Sequence, residues 1–116
     1  MGKRIVIPPD YDYNFESISD FEDCMIRNGE ANFIWNGKMY TAFGGILNPK
    51  TSQFEVLIGE GYYLKDDMAY NAKSHEPCMD TDGCFYKTAD EALEYMIDGM
   101  RLRDIITEVE VTSRSF

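Results

Sequence analysis

Residues 32–43, NFIWNGKMYTAF, decide the fold of this chain, because Asn36 and Gly37 stand between two runs rich in apolar side chains. A two-residue loop of this composition forms a type I′ turn, since both of its central positions need a positive φ. The stretch therefore predicts an antiparallel hairpin whose side chains pair outward from the turn. The predicted pairs are Trp35 with Lys38, Ile34 with Met39, and Phe33 with Tyr40.

Three aromatic side chains share one face of the predicted hairpin. Side chains alternate between the two faces of a strand pair, which groups Phe33, Trp35 and Tyr40 together. Large aromatic side chains are mostly buried, and this favours a core role for the group. The alternative is that the group lies exposed as a contact surface, which makes it the second candidate for binding a partner.

A short helix is predicted ahead of the hairpin and a strand behind it. The capping-box spacing that begins at Ser19 predicts a helix near residues 20–28, and Asn28 with Gly29 is expected to end it in a left-handed conformation. The alternating run QFEVLI predicts a third strand near residues 53–58, after a connection marked by the glycine pair 44–45. Residues 59–83 show no sustained period and are predicted to form a long loop.

Two further helices are predicted near the end of the chain, after a short fourth strand near residues 84–87. Thr88 and Glu91 have the spacing of a second capping box, and a long apolar stripe with helical period follows them. The stripe changes phase at Asp98 and Gly99, so a turn is expected there between the two helices.

The predicted elements have the order α-β-β-β-(β)-α-α. This order indicates an α+β fold, in which a small antiparallel sheet of three to four strands has its helices packed on one face. The chain has 116 residues, of which 44% are hydrophobic. This length and composition predict one acidic domain over residues 1–116.

The charge of the chain excludes one class of partner. The chain has 21 acidic and 11 basic residues, a formal net charge of −10, and such a surface repels the phosphate backbone of nucleic acids. We therefore expect a basic protein as partner and no direct binding of nucleic acid. The start of the chain has neither the pattern of a signal peptide nor that of a membrane span, so we expect no membrane partner and a cytoplasmic location in a host cell.

One loop gathers the residue types that bind metals or act as nucleophiles. The stretch 75–84, HEPCMDTDGC, is similar to part of a calcium loop, but Cys78 and Ala89 occupy its first and its bidentate ligand positions. His75, Cys78 and Cys84 supply three of the roughly four ligands that zinc needs. No third group orients a His-Cys pair for catalysis. We expect no metal, no cofactor and no catalytic residue, with a metal-dependent module or small enzyme on this loop as the alternative.

Acidic residues are concentrated in the second half of the chain, where nine of them and only two lysines lie between Asp66 and Asp98. On the predicted helix Asp90, Glu94 and Asp98 stand four residues apart, although each like-charge pair costs a helix roughly 0.2–0.5 kcal/mol. The stripe is either a solvated face or a phosphate-like array that binds a basic groove. The candidate partner-binding residues are Asp66, Asp67, Asp80, Asp82, Asp90, Glu91, Glu94 and Asp98.

The overall pattern of the chain is that of a small acidic protein with NGKMYTAF between a short helix and a meander, and TADEALEYMIDGMRLRDIITEVEV at its end. In this pattern it resembles small one-domain proteins of phages and other mobile elements, among them anti-CRISPR proteins. The resemblance implies a non-enzymatic inhibitor of a nucleic-acid-handling protein such as an RNA-guided nuclease, and it transfers no individual residue. An immunity-type or structural interaction protein with another partner is the remaining alternative.

The purified protein is expected not to bind bare DNA or RNA, because its net charge opposes phosphate. Fluorescence anisotropy with labelled duplexes and single strands tests this at low salt, where electrostatic interactions are least screened. Tight binding of bare nucleic acid would contradict the hypothesis of a phosphate-like acidic surface.

Overall fold

The computed structural model describes residues 13–66, 68–78 and 85–115. This part of the chain has an α+β fold made of short helices and antiparallel strands. In chain order its elements are α1 (Ile18–Ile26), β1 (Glu30–Trp35), β2 (Lys38–Asn48), β3 (Gln53–Gly59), β4 (Tyr62–Lys65), β5 (Met68–Asn71), β6 (Phe85–Tyr86), α2 (Ala89–Ala92), β7 (Met96–Ile97), β8 (Met100–Arg101), α3 (Leu102–Ile105) and β9 (Glu110–Arg114).

The described strands form one five-stranded antiparallel sheet in the order β6-β3-β2-β1-β9, with two separate hairpins, β4-β5 and β7-β8. The predicted hairpin is confirmed with its register, including Phe33 opposite Tyr40 and Trp35 opposite Lys38. Asn36 has φ 51° and Gly37 has φ 78°, as the predicted turn requires. The sheet has one strand more than predicted, because β9 pairs with the outer edge of β1.

Both faces of the sheet bury apolar side chains. On one face the three helices pack against residues such as Phe33, Ala42 and Ile58. On the other face Phe43 and Leu57 pack with residues of the β4-β5 hairpin and its continuation. Neighbouring positions of a strand point to opposite faces, which explains why Ala42 and Phe43 belong to different clusters.

The segment predicted as a long loop contains the β4-β5 hairpin. Tyr63 and Tyr70 stack across it, with ring centroids 5.6 Å apart. The Cys78 amide donates a hydrogen bond to the Ala69 carbonyl at 2.8 Å, which holds the following chain against the hairpin. The residues of these short strands do not alternate between apolar and polar, and their burial does not alternate between the two faces either.

The two predicted C-terminal helices are largely replaced by turns and a hairpin. Thr88 caps α2 as predicted, and its hydroxyl accepts a hydrogen bond from the Glu91 amide at 3.1 Å. The helix then ends at Ala92, and Asp98 and Gly99 form the turn between β7 and β8.

Backbone hydrogen bonds join the start of α3 to the residues that follow α2. The Leu102 amide donates to Tyr95 and the Arg103 amide donates to Leu93, at 2.8 and 2.9 Å. Met96, which one continuous helix would bury, is 56% exposed. The apolar stripe therefore marks most of the buried residues correctly, but a hairpin buries them instead of a helix.

Helix α1 begins and ends two residues before the predicted range of 20–28. Its N-cap is Ser17, whose hydroxyl accepts a hydrogen bond from the Asp20 amide at 3.1 Å. Its C-terminal end passes through Asn28, which has φ 59°. The Gly29 amide then donates to the Cys24 carbonyl at 2.9 Å, and the chain enters β1.

The glycine pair 44–45 lies inside β2 and not in a connection between strands. The register of β2 against β3 shifts between Phe43 and Ile46, which is a bulge. At this point α1 crosses so closely that a Cβ on Gly44 would overlap the Met25 carbonyl oxygen. The Gly44 amide also donates to the Gly29 carbonyl at 2.8 Å. The bulge therefore holds the end of α1 directly against the sheet backbone.

Gly44→Ala is expected to lower the free energy of unfolding by about 3 kcal/mol, because the new Cβ forces α1 away from β2. Gly61→Ala is the control, since it adds the same atom in open space at φ 71°. Its expected cost is about 1 kcal/mol, from backbone strain alone. Urea unfolding of both variants measures the difference, and equal losses would show that the close contact at Gly44 carries no special cost.

Candidate functional site

The described acidic candidates do not form the predicted helical stripe. Asp90 and Glu91 lie in α2, Glu94 follows its end, and Asp98 lies in the β7-β8 turn. Asp66 lies in the β4-β5 turn, on an element that packs on the other face of the sheet. The spacing of four residues between Asp90, Glu94 and Asp98 has no helical meaning here, because α2 has four residues.

Three of the acidic candidates, Asp67, Asp80 and Asp82, lie outside the described residues. Cys84, one of the three ligands in the zinc alternative, also lies outside them. The partner-binding role predicted for these aspartates stays a prediction.

Two arginines bind the acidic residues that follow α2. Arg103 contacts Asp90 at 3.3 Å and forms a second, shorter ion pair with Glu94. Arg101 contacts Glu94 at 3.6 Å and Asp104 at 3.1 Å. We call these five residues the carboxylate–arginine ladder. It joins α2 to α3 through alternating charges, and its net charge is only −1.

Hydrogen bonding to Glu94 is the main reason why the pKa of Arg103 lies above its ordinary value, and Asp104 acts in the same way on the pKa of Arg101. The side chains in the ladder are largely exposed, so solvent screening keeps its contribution to stability small. The predicted acidic stripe is therefore partly neutralised by neighbours that the sequence analysis did not consider. The two arginines of RLRD, residues 101–104, could have indicated these ion pairs. They were assigned to a separate helix, so no contact with Asp90 or Glu94 was expected.

Asp98 also has partners close to it. Its carboxylate accepts a hydrogen bond from the Asn36 side chain at 3.0 Å and lies 4.0 Å from the Lys38 ammonium. It thereby connects the turn of the β7-β8 hairpin to the turn of the β1-β2 hairpin. Of the described acidic candidates, Asp66 and Glu91 form no ion pair with another described residue.

A surplus of negative charge remains after the ion pairs are formed. Each arginine within the described ranges is paired with a carboxylate: Arg27, Arg101, Arg103 and Arg114. Ten carboxylates form no ion pair there. Glu55 is buried, Glu22 is half-buried, and the other eight are exposed: Glu16, Glu30, Glu60, Asp66, Glu76, Glu91, Glu108 and Glu110. The negative field of this surface therefore comes from residues spread along the chain, and the predicted segment holds only part of it.

The aromatic candidates lie mainly in the core. Phe33 and Tyr40 are buried and stack with ring centroids 5.6 Å apart, while Trp35 is half-buried against the same cluster. Burial raises the pKa of the Tyr40 hydroxyl. Phe33 and Tyr40 are therefore core residues and present little surface to a partner in this conformation.

His75 and Cys78 of the metal alternative lie in different surroundings. His75 is exposed, and its Nδ1 lies 3.2 Å from the Tyr63 hydroxyl. Cys78 is buried and packs in the apolar cluster beside the β4-β5 hairpin. Across the part of the chain that the structure describes, no three His, Cys, Asp or Glu side chains are grouped so that they could hold a metal ion.

A groove that no sequence pattern predicted lies where the chain leaves β6 and enters α2. It consists of two adjoining hollows of about 480 and 380 Å³, which share Asn28, Gly45 and Phe54 as lining residues. We call both together the Phe54 groove. Ile26 and Phe54 line it and are 75% and 66% exposed.

Buried apolar residues and a more weakly exposed leucine complete the lining of the Phe54 groove. The first hollow reaches the buried side chains of Met25, Val56 and Ala89, and the second reaches Ile46 and Leu64. The sequence contained one signal for this surface. Ile26 follows Met25 directly and therefore lies off the apolar face of α1, where a large apolar side chain meets solvent.

Glu55 also belongs to the lining of the Phe54 groove, but its buried carboxylate lies on the opposite face of the sheet from Val56. Glu55 is 7% exposed and accepts hydrogen bonds from the Asn48 amide at 2.9 Å and the Thr51 hydroxyl at 3.0 Å. Both donors are neutral, and no described lysine or arginine forms an ion pair with it. Buried carboxylates are normally paired with a cation, so this arrangement is unusual.

Comparison of the chain with models of protein families, with curated proteins and with solved structures found no match in any of the three. In the described ranges, no helix has the length and apolar character needed to cross a membrane.

One partly buried ion pair joins α1 to the last strand. Arg114 makes two contacts with the Asp20 carboxylate, at 2.8 and 3.1 Å, and its guanidinium lies 4.6 Å from the centre of the Phe15 ring. The hydrogen bond from Arg114 is the largest cause that lowers the pKa of Asp20 below its ordinary 3.8. Lowering of a folded-state pKa means that the interaction stabilises the fold above the unfolded-state pKa.

Asp20→Asn is expected to lower the free energy of unfolding by roughly 1–2 kcal/mol at neutral pH, because it removes a charge-assisted contact that solvent partly screens. The loss should shrink as pH falls through the lowered pKa of Asp20, where the carboxyl of the unchanged protein also becomes neutral. Urea unfolding between about pH 7 and pH 3 measures this. Asp23→Asn, in the exposed pair with Arg27, is the control and should cost under about 0.5 kcal/mol. A difference that stays constant down to the lowest pH would contradict the role of the Asp20 charge.

Proposed function

We propose that this chain is a non-enzymatic inhibitor that binds a nucleic-acid-handling protein, such as an RNA-guided nuclease, through its acidic surface. The observation that supports this most directly is the charge balance of the surface. Each described arginine already pairs with a carboxylate, while ten further carboxylates, eight of them exposed, form no ion pair within the described ranges. Such a surface attracts a basic partner and repels the nucleic acid that the partner would otherwise bind.

The carboxylate–arginine ladder changes which acidic residues this proposal relies on. Glu94 bonds to two arginines that connect α2 and α3, so its first role is structural. Asp66 and Glu91 are exposed and have no such partner among the described residues, which leaves their charge available to another protein. The proposal therefore places Asp66 and Glu91 ahead of Glu94 and Asp98.

Exposed carboxylates of this kind act mainly on the rate of association. Long-range attraction steers a basic surface toward them before any close contact forms, and salt screens this attraction over about 10 Å at 0.1 M. The affinity of the complex should therefore fall as salt rises, mostly through a slower association.

The test is a pair of double variants that neutralise equal charge and keep side-chain shape. Asp66→Asn with Glu91→Gln is expected to slow association with an RNA-guided nuclease roughly three- to tenfold and to weaken inhibition of DNA cleavage, since steering charges act on the on-rate. Glu16→Gln with Glu108→Gln removes the same charge elsewhere and should have a smaller effect. Surface plasmon resonance at two salt concentrations and a cleavage assay measure both.

Equal effects of the two double variants would mean that only the net charge acts and that no defined acidic surface exists. Absence of inhibition for every RNA-guided nuclease tested would contradict the partner class. The melting temperatures of both double variants should stay close to that of the unchanged protein, because all four substituted side chains are exposed.

A further inference from the structure

The face of the sheet on which Phe43 and Leu57 lie is covered only in part by the β4-β5 hairpin. Ile34 alternates with the core residue Phe33 and therefore lies on this same face, opposite Met39 of β2. Ile34 is only half-buried, and Met39 is 47% exposed. The half of this face that β1, β9 and the start of β2 form is therefore open to solvent, and we call it the open half-face.

The basic residues of β1, β2 and β9 lie on the other face of the sheet. Lys38 pairs with Trp35, which packs against the apolar cluster under the helices. Arg114 pairs with Ala31, a buried member of that same cluster. Residues that pair directly across two strands share a face. No lysine or arginine of these three strands therefore belongs to the open half-face.

Two carboxylates belong to the open half-face. Glu30 pairs with Phe43, and Glu110 pairs with Ile34, so both glutamates lie on this side of the sheet. Both are exposed, and neither forms an ion pair with another described residue. The charges that the strands place here are all negative, so the open half-face attracts a cation and repels an anion.

Glu30 borders a hollow of about 490 Å³ between the open half-face and β4. Phe43 and Asn32 line this hollow from the sheet, and Tyr62 lines it from the hairpin; we call it the Tyr62 hollow. Glu30 is the one formally charged residue among its described lining residues. Asn32 alternates with Phe33 and so lies on the same face as Glu30. The hollow therefore combines a single negative charge with neutral polar and aromatic groups.

Tyr62 gives the hollow an aromatic wall. A Cβ on Gly59 would overlap the Tyr62 ring, so the ring can lie directly against β3 only because this position is glycine. The ring packs against the same apolar cluster as Phe43 and is half-buried. An aromatic ring beside a carboxylate favours a guanidinium, which stacks on the ring and donates two parallel hydrogen bonds to the carboxylate. An ammonium lacks this planar fork.

We propose that the Tyr62 hollow binds an arginine side chain of the partner protein, with the guanidinium paired to the Glu30 carboxylate and packed beside the Tyr62 ring. The Asn32 side-chain oxygen accepts a hydrogen bond from the Thr41 hydroxyl at 2.7 Å and can accept a second one from the guanidinium. A neutral occupant would leave Glu30 without a counter-charge in a partly dehydrated contact. The inference rests on the proposed function, since it takes the partner to be basic, and it names the group that is recognised.

The experiment uses the isotope-labelled full chain and blocked glycine–serine peptides that contain a single arginine, lysine or citrulline as probes. Citrulline keeps the shape of arginine without its charge. Two-dimensional NMR titrations give the affinity and the site of each peptide. We expect the arginine peptide to shift the amide signals of Glu30, Asn32, Phe43 and Tyr62. It should bind at least about threefold more tightly than the lysine peptide, and the citrulline peptide should show no saturable binding.

Variants of the hollow separate the role of its charge from that of its ring. Glu30→Gln keeps the size of an exposed side chain and should weaken binding of the arginine peptide at least about fivefold. Glu108→Gln removes the same charge from an exposed residue outside the hollow and should change the affinity less than about twofold. Tyr62→Leu should remove most of the preference for arginine over lysine. If this variant unfolds the hairpin, the comparison of Glu30→Gln with Glu108→Gln decides the question.

Three results would overturn the inference. Equal weakening by Glu30→Gln and Glu108→Gln would mean that only the net charge attracts the peptide. Equal affinities of the arginine and lysine peptides would mean that the ring recognises no guanidinium, and saturable binding of the citrulline peptide with equal affinity would assign the hollow to a neutral polar ligand. None of these results depends on a nuclease, so failure of the hollow is distinguishable from failure of the proposed inhibition.

Discussion

The close approach of α1 to β2 at Gly44 is the constraint on which the rest of the structure depends. Because this position has no Cβ, the Met25 carbonyl can lie directly against the strand, and the Gly44 amide bonds to Gly29. The bulge that follows lets β2 continue and pair with β3 along its far half. This contact sets the end of α1 beside β3 and α2. The Phe54 groove is the space that this arrangement leaves between them.

The distribution of charge follows from how the chain closes. Two of the described arginines connect separate elements. Arg114 joins α1 to β9, and Arg103 joins α2 to α3. The charges of Arg103 and Arg114 therefore hold elements together, and the carboxylates without an ion pair give the described surface its negative field.

Sequence reasoning predicted elements where the deciding contacts are local. The turn at Asn36, the cap at Thr88 and the left-handed residue Asn28 each depend on a few neighbouring residues, and the structure has all three. The helices predicted after Thr88 were largely wrong, since an apolar period reports which side chains face the core and a turn with a hairpin can present the same ones. The acidic stripe failed with them, because its spacing had meaning only on a continuous helix.

The sequence by itself determined the net charge, the register of the β1-β2 hairpin and the α+β class, because these follow from composition, a two-residue turn and alternation along strands. The tertiary structure decided that β9 pairs with β1, that Arg103 reaches Asp90, and that the Glu55 carboxylate is buried beside Asn48. Each of these depends on elements that packing brings together from different parts of the chain. Local propensity and periodicity extend over a few residues and carry no information about such contacts, which exist only once the sheet has formed.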